Sequence, residues 1–455
     1  MTATVPNTTE PDASANLLLD FYDRVRATIP AIVPRVDPVL NDDAKFSPGF
    51  HLPEPDDDVQ RFFSVATAQW HRLADYGEHR LHLMDLTGNP GTGTTKTFAS
   101  LLMVARAVEY IRRHGEGITI FSPTSANKGT ALRDAVLGAI EAGLVEPEQL
   151  RVVILAPHTC LPKLRASRLS EDPELRALNP LLLYTGQRAE NVKTIGREFV
   201  DRHAVAPRRR LGTRLWYSLE LGNYLVADTA RAFFEHQVAP GIGAGRIHAH
   251  AVSSAFGLLG YHQGRAALER EGLATPNTRP ASLLVQHLGA PDMVLNLTHG
   301  NFDSANIPAY ELKEGLYHQT TDARFPQVTA DPDEILDPTF YTRRPPTSPT
   351  MNDLIRRFGG DGIVVSRAEC QDRYTELRDL LAHTGCSLPA DPGELREWSL
   401  VMALTGTLNA IDRGLIDTSR EDVVVHGSGV YTSTGYDPLK HFTEVGSATD
   451  IAEAL

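Results

Sequence analysis

Cysteine is scarce in this chain of 455 residues: Cys160, Cys370 and Cys386 are the three, and no two stand in a Cys-x-x-Cys pair. An odd, unpaired set excludes a disulfide framework and suits a reducing compartment. Long apolar runs are lacking too; nowhere do about 18 apolar residues follow one another, so the sequence offers no membrane span. Basic charge is in deficit, with 44 Lys and Arg against 57 Asp and Glu and a net charge of −13. That field repels a phosphate backbone and sets nucleic acid aside as a main partner. The opening MTATVPNTTEPDASAN has no basic n-region, no apolar h-region and no arginine. It reads as neither a secretory signal nor a transit peptide, and the expected compartment is the cytoplasm. No repeat of fixed period is found. What is present is ordinary globular usage, 42% hydrophobic and 22% charged, with 35 Gly and 30 Pro spread along the chain, in a length that allows several domains.

From Arg80 short apolar runs alternate with amphipathic stretches. LHLMDL at 81–86 reads as a strand, a Gly/Thr loop follows, and FASLLMVARAVEYIRRHG has helical spacing with Gly115 as a stop. ITIFS at 118–122 and VVILA at 152–156 are buried-strand candidates, and GTALRDAVLGAIEAGL between them is a helix ending at Gly143. Residues 160–215 read as charged and irregular, with RRRLGTR a surface connection. LELGNYLVADTARAFFEHQ is then helical, RIHAHAVSS a strand and GLLGYHQGRAALEREG a helix, while 320–350 read as a long surface excursion. The last hundred residues return to helix and strand, with VVVHGSGVYTSTGYDP near the end. Alternation of this kind predicts an α/β protein with mainly parallel sheets.

The loop Gly88-Asn-Pro-Gly-Thr-Gly-Thr-Thr-Lys-Thr97 stands between a strand and a helix, where backbone N–H groups can meet a phosphate. A P-loop needs its lysine directly after the last glycine, whereas Thr94 and Thr95 separate Gly93 from Lys96. A lysine forming a Schiff base with pyridoxal phosphate is the second reading. NPGTGTTKT resembles the Asn-Pro-Thr-Gly-Ser-Phe-Lys segment of threonine synthases and their relatives, the tryptophan-synthase β-like, fold-type II pyridoxal-phosphate enzymes. It differs by one extra residue after Pro90 and by Thr97 where an acid usually follows the lysine. Ser122-Pro-Thr-Ser-Ala-Asn-Lys-Gly129 is similar to the Glu-Pro-Thr-Ser-Gly-Asn-Thr-Gly loop of cysteine synthases, with Ala126 at the family's glycine. RIHAHAVSSAFGLLGYHQG resembles the strand, Gly-Ser-Gly-Gly-Thr phosphate loop and helix of the family, with one glycine retained. His-Gly-Ser-Gly-Val-Tyr-Thr-Ser-Thr434 resembles the Asp-Ser-Gly-Glu-Arg-Tyr-Leu-Ser-Thr stretch of cysteine synthases. The four segments follow one another in the family's order, over roughly residues 80–440.

The resemblance implies roles residue by residue. Lys96 would hold the cofactor as an imine and act as general base at Cα; Asn127 would meet the cofactor's 3′-oxygen; Ser253, Ser254, Ala255, Phe256 and Gly257 would surround its phosphate; and Ser428 would reach the ring nitrogen. Thr124 and Ser125 would bind the substrate carboxylate. It also implies two open, mainly parallel sheets flanked by helices, with the cofactor in the cleft between domains. The expected division is a disordered tail at 1–16, a large domain of 17–96 with 226–455, and a small one of 97–225. The implied function is replacement or elimination of a β- or γ-substituent on an amino acid, by a synthase first and by a dehydratase or lyase second, in a homodimer. A nucleotide-binding protein using the 88–97 loop, and a relative that keeps the fold for binding only, stay open as alternatives. His248, His250 and His262 are read as core or pocket histidines rather than a metal trio, and Cys160 has no visible partner base.

Overall fold

The computed structural model describes residues 3–4, 12–240 and 245–455. Its main strands are β1 (Ala13–Asn16), β2 (Thr67–Arg72), β3 (Arg80–Asp85), β4 (Gly117–Pro123), β5 (Leu150–Pro157), β6 (Leu181–Tyr184), β7 (Thr213–Tyr217), β8 (Arg246–Ala251), β9 (Ala281–His287), β10 (Gly360–Val365), β11 (Asp422–Gly427) and β12 (Thr443–Val445). The helices that place the site are α1 (Lys96–His114), α2 (Ala126–Glu141), α3 (Asn191–His203), α4 (Gly222–Ala227), α5 (Ala230–Val238), α6 (Phe256–Arg270) and α7 (Ser399–Asp412). No helix among the described residues is long and apolar enough to cross a membrane.

The chain divides into two units. The first comprises the described residues of 1–15, Thr67–Gly88 and Arg231–Ser433; the second comprises Asn16–Ala66, Asn89–Ala230 and Thr434–Leu455. Residues 17–66, 89–96, 226–230 and 434–455, expected in the larger domain, thus group with α1 and α2.

In the first unit seven of these strands form a sheet in the order β10-β9-β8-β11-β3-β2-β1. From β10 to β3 the neighbours are parallel, and β2 runs antiparallel to β3. Continuous apolar runs such as Val423–Val425 suit strands covered on both faces. Leu81, Leu83, Ile247, Val285, Ile363 and Val425 join one core with Leu400, Val401, Leu404 and Leu408 of α7, a helix buried nearly all round.

In the second unit the order is β12-β6-β5-β4-β7, with every pair parallel. Phe121, Leu155 and Leu182 of the sheet pack with Phe199 and Val200 of α3 and with Ile451. α1 ends where Gly115 adopts φ +66°, a left-handed position that glycine takes without strain. α1 also buries a charge. Arg106 is 1% exposed and donates from Nε to the Gly49 carbonyl at 2.6 Å and from Nη1 to the Asn223 side chain. Its Nη2 lies 2.7 Å from Glu220 Oε2, and its plane rests 4.2 Å from the Phe50 ring and 4.7 Å from that of Trp216. Burial drives the guanidinium pKa down and Glu220 works against that shift.

Three expectations are corrected. The expected tail over 1–16 contains β1 at Ala13–Asn16. Asn16 anchors it, accepting from the Leu18 and Leu19 amides and donating to the Phe63 carbonyl at 2.8 Å. The stretch 160–215 is regular rather than irregular, because short segments carry it. Asp172 caps the helix Pro173–Leu178, β6 buries all four of its residues, and Arg208–Arg210 lie on the helix Ala206–Leu211. The single helix expected over 219–237 is split into α4 and α5, where the Thr229 hydroxyl bonds the Val226 carbonyl at 2.6 Å, a local bond that competes with helix continuation.

Arg106→Met removes the ion-pair partner of Glu220 and takes the arginine donors from the Gly49 carbonyl and Asn223 Oδ1. The variant loses about 3 kcal/mol of stability, read as a drop in urea midpoint at unchanged slope.

Candidate active site

Each of the motif segments leaves the carboxyl end of a parallel strand. In the first unit, β8, β11 and β3 are neighbours in register, with His250 opposite His426 and Gly427 opposite Asp85. The turn Ser253–Gly257 and Ser428 therefore leave the same edge of one sheet from adjacent strands. In the second unit, Thr124–Asn127 leaves β4 and Ser218 leaves β7, again from adjacent parallel strands with Phe121 opposite Tyr217. In open α/β sheets this edge is where ligands bind.

Lys96 is the first residue of α1 and half-buried. The loop before it is folded onto itself. Asn89 Oδ1 accepts from the Gly91 amide at 2.9 Å, its carbonyl accepts from the Thr92 and Gly93 amides, and Thr92 Oγ1 accepts from the Thr94 amide. Asn89 Nδ2 donates to Asp134 Oδ2 at 2.8 Å and reaches Thr97 Oγ1, which lies 2.6 Å from Thr92 Oγ1. Arg165 closes the loop from outside by donating to the Pro90 and Thr92 carbonyls at 3.0 and 2.9 Å. Thr97 thus fixes this loop through Asn89 and Thr92. The Gly91, Thr92, Gly93 and Thr94 amides are thus spent within the loop, whereas a P-loop turns its amides to a phosphate.

Ser125 is the N-cap of α2, yet its hydroxyl makes no capping bond. A helix start without a side-chain cap keeps its amide donors and positive end open to an anionic group. Thr124 turns its hydroxyl to the Ser125 carbonyl, and Asn127 is buried in the first turn. One residue further, Lys128 is buried and donates to the Ser218 carbonyl. Its Nζ lies 5.9 Å from the centre of the Tyr224 ring, and Lys96 Nζ lies 5.4 Å from the same ring. The sequence reading passed over Lys128, although the matching position of the cysteine-synthase loop is threonine.

In the first unit Ser253 donates to Thr342 Oγ1 at 2.9 Å, and the Ser254 carbonyl accepts from the Thr347 hydroxyl. Ala255 takes φ +51° as N-cap of α6, and Phe256 and Gly257 open that helix. A Cβ at Gly257 would come within 2.6 Å of Arg231 Nη1 and 2.8 Å of His250 Nε2. The one glycine retained in this loop is therefore the one that lets a guanidinium and an imidazole lie directly against the backbone. Ser428, 6% exposed, follows the last residue of β11.

Arg231 begins a buried chain that the sequence did not reveal. Its Nη1 donates to His426 Nδ1 at 3.1 Å; His426 Nε2 lies 2.8 Å from His248 Nδ1; His248 Nε2 lies 3.1 Å from Glu235 Oε1. An arginine can only donate, so His426 takes it on Nδ1 and passes its own N–H to His248, which passes its N–H to Glu235. Burial, joined by the charges around it, holds His426 far below the usual histidine range, and burial lowers His248 against the pull of Glu235, as neutral rings in that chain require. Burial opposes the charge of Glu235, but His248, Arg246 and the Tyr261 hydroxyl hold its carboxyl well below the ordinary range. The signal available in sequence was the alternation of His248 and His250 on β8 with His426 on its neighbour. Burial also lowers His262 to about 3 and His287 to about 4.

The fold is that of the threonine synthases. A threonine synthase from Escherichia coli is 14% identical over 97% of this chain and 85% of its own, with a TM-score of 0.52. A threonine synthase from Brucella melitensis with bound PLP is 12% identical over 82% of this chain and 77% of its own, at a TM-score of 0.49. A fungal L-serine ammonia-lyase from Rhizomucor miehei is 15% identical over 77% and 89%, at 0.45. By sequence the chain belongs to DUF6002, a family of unknown function, whose model matches residues 13–455. No curated protein matches it.

Two outcomes follow. His248, His262, His287 and His426 have folded pKa values below the ordinary 6.5, so between the two the unfolded chain binds protons that the folded one does not. Stability falls as pH drops below about 6.5, by up to roughly 1.4 kcal/mol per pH unit for each histidine, and denaturation at pH about 7.5 and 5.5 reads it. An unchanged midpoint over that interval contradicts the assignment. Gly257→Ala pushes against Arg231 and costs about 1–2 kcal/mol, measured the same way.

Proposed function

We propose that this protein is a pyridoxal-phosphate enzyme that eliminates or replaces a β- or γ-substituent of an amino acid. What carries the reading is that the lysine, hydroxyl, phosphate-loop and serine segments all stand at carboxyl ends of parallel strands, three of them opening a helix. The residues fit such a group. Lys96 offers an amine at the head of α1, the start of α2 lacks a side-chain cap, and Gly257 leaves Arg231 and His250 space that a Cβ would fill. When bound, the cofactor supplies an electron sink for charge developing at Cα.

Lys96 would hold the cofactor and, once released by the substrate amine, take the proton from Cα. Thr124 and Ser125, with the first amides of α2, would bind the substrate carboxylate, and Asn127 the cofactor's 3′-oxygen. Ser253 to Gly257 would take the phosphate, whose charge gains from the positive end of α6, with Arg231 behind the loop. Ser428 would meet the ring nitrogen with a hydroxyl, which leaves that nitrogen largely unprotonated and the sink mild. Fixing carboxylate, amine and ring together orients the Cα–H bond for removal. Replacement is the first reading and elimination the second, in a homodimer. The internally bonded 89–95 loop speaks against nucleotide binding at Lys96.

The test supplies pyridoxal phosphate and a panel of amino acids with β- or γ-leaving groups, and follows release of the group. The parent turns over a member of the panel, and Lys96→Ala does so roughly 10³-fold more slowly or not at all. Equal turnover by both removes Lys96 from the mechanism.

A further inference from the structure

Lys128 has no place in the assignments above, and its surroundings are unusual for a lysine. It is in the first turn of α2, directly after Asn127, and is 7% exposed. Its hydrogen bond goes to the neutral carbonyl of Ser218, and among the described residues no carboxylate lies at ion-pair distance from it. A long, flexible cation buried without a counter-ion is costly, and an apolar side chain of similar volume would serve packing better.

The groups that face it explain its chemistry. Lys96 on α1 and Lys193 on α3 act on it as like charges. α3 is pressed onto the end of β4 beside the 124–127 turn, since a Cβ at Gly196 would lie 2.6 Å from Pro123 Cγ. Tyr224 on α4 presents its ring to both Lys96 and Lys128. Glu220 is the one facing acid that favours the ammonium, and it is already engaged by Arg106 at 2.7 Å. The positive end of α2 also works against a charge there. Burial first, then Lys193 and Lys96, bring the amine down to about 7, where it can both give and accept a proton near neutral pH.

We infer that Lys128 is a second catalytic amine, the general acid that protonates the departing heteroatom while Lys96 takes the proton from Cα; this rests on the function proposed above. The Cα–H bond breaks with its proton going to the Lys96 amine and its electron pair, for a β-leaving group, forming the Cα=Cβ bond. The bond from carbon to the leaving heteroatom breaks with its electron pair going to that atom, which receives the proton of the Lys128 ammonium. Lys96 is then charged and Lys128 neutral, and transfer of one proton from the first to the second restores both. No oxidant, reductant or metal enters. Two amines facing one ring divide the work of one base and one acid.

The experiment has two arms. In the first, the purified chain without added cofactor is labelled with limiting acetic anhydride across a pH series, and each lysine is quantified by peptide mapping. Lys128 reaches half-labelling near pH 7, some three units below the exposed lysines in the same digest; a midpoint in the exposed lysines' range overturns the proposal. In the second, the holoenzyme and its Lys128→Met and Lys128→Arg variants are given L-serine, whose leaving hydroxide needs a proton, and β-chloro-L-alanine, whose chloride does not. Both variants lose roughly 10²-fold or more with L-serine and stay within about 3-fold of the parent with β-chloro-L-alanine. Equal losses with both probes assign Lys128 a structural part and overturn the proposal, as does no loss with either, or failure of the parent to release either group. Borohydride trapping on Lys96 is unaffected in Lys128→Met. Its absence in the parent instead sinks the cofactor reading, while the labelling arm still reports on Lys128.

Discussion

The second unit depends on one buried charge. The guanidinium of Arg106, ten residues along α1 from Lys96, draws the Gly49 carbonyl, Asn223 and Glu220 onto that helix between Phe50 and Trp216. Glu220 and Asn223 bracket Tyr224, the ring that faces both Lys96 and Lys128. Arg106 thereby does two things at once. It holds the segment that carries Tyr224, and it engages Glu220, the acid that favours the Lys128 ammonium. A cation satisfied at one end of this arrangement leaves an amine without a counter-ion at the other, and that amine is the more useful for being able to lose its proton.

The first unit solves a different problem, that of presenting positive charge to the backbone of a loop. Gly257 lets Arg231 and His250 come against the start of α6. Behind them His426, His248 and Glu235 form a directed chain of donors and acceptors on two adjacent strands and a helix. Burying this many polar groups is tolerable because each passes its hydrogen bond to the next and an acid terminates the series. A loop with a single glycine thereby keeps one guanidinium and one imidazole directly against its backbone.

How much of this was legible follows from the physics of each segment. The strand, loop and helix at 81–115 and 117–143 were plain because their apolar runs are long and a left-handed glycine stands at or just past the end of each helix. The motif loops were legible as places, since each stands between a strand pattern and a helix pattern. The stretch 160–215 was not, because β6 offers four apolar residues and α3 buries only Val192, Gly196, Phe199 and Val200 on a polar helix. Arg106 was hidden inside LMVARAVEY, where helical spacing puts it on the core side but the usual exposure of charge argues otherwise. Lys128, Arg231 and His426 carry no local pattern at all; their meaning arises from neighbours on other elements. Thr97 read as a departure from the family's acid, and only the folded loop shows it bonded to Asn89 and Thr92.

The central claim is that the amine of Lys96 holds pyridoxal phosphate. Borohydride reduction of the protein after incubation with that cofactor, followed by peptide mapping, tests it most directly. The account predicts a visible imine band that reduction removes and a single phosphopyridoxyl group fixed on Lys96. A protein that stays colourless with added cofactor, or an adduct confined to exposed lysines, would contradict it.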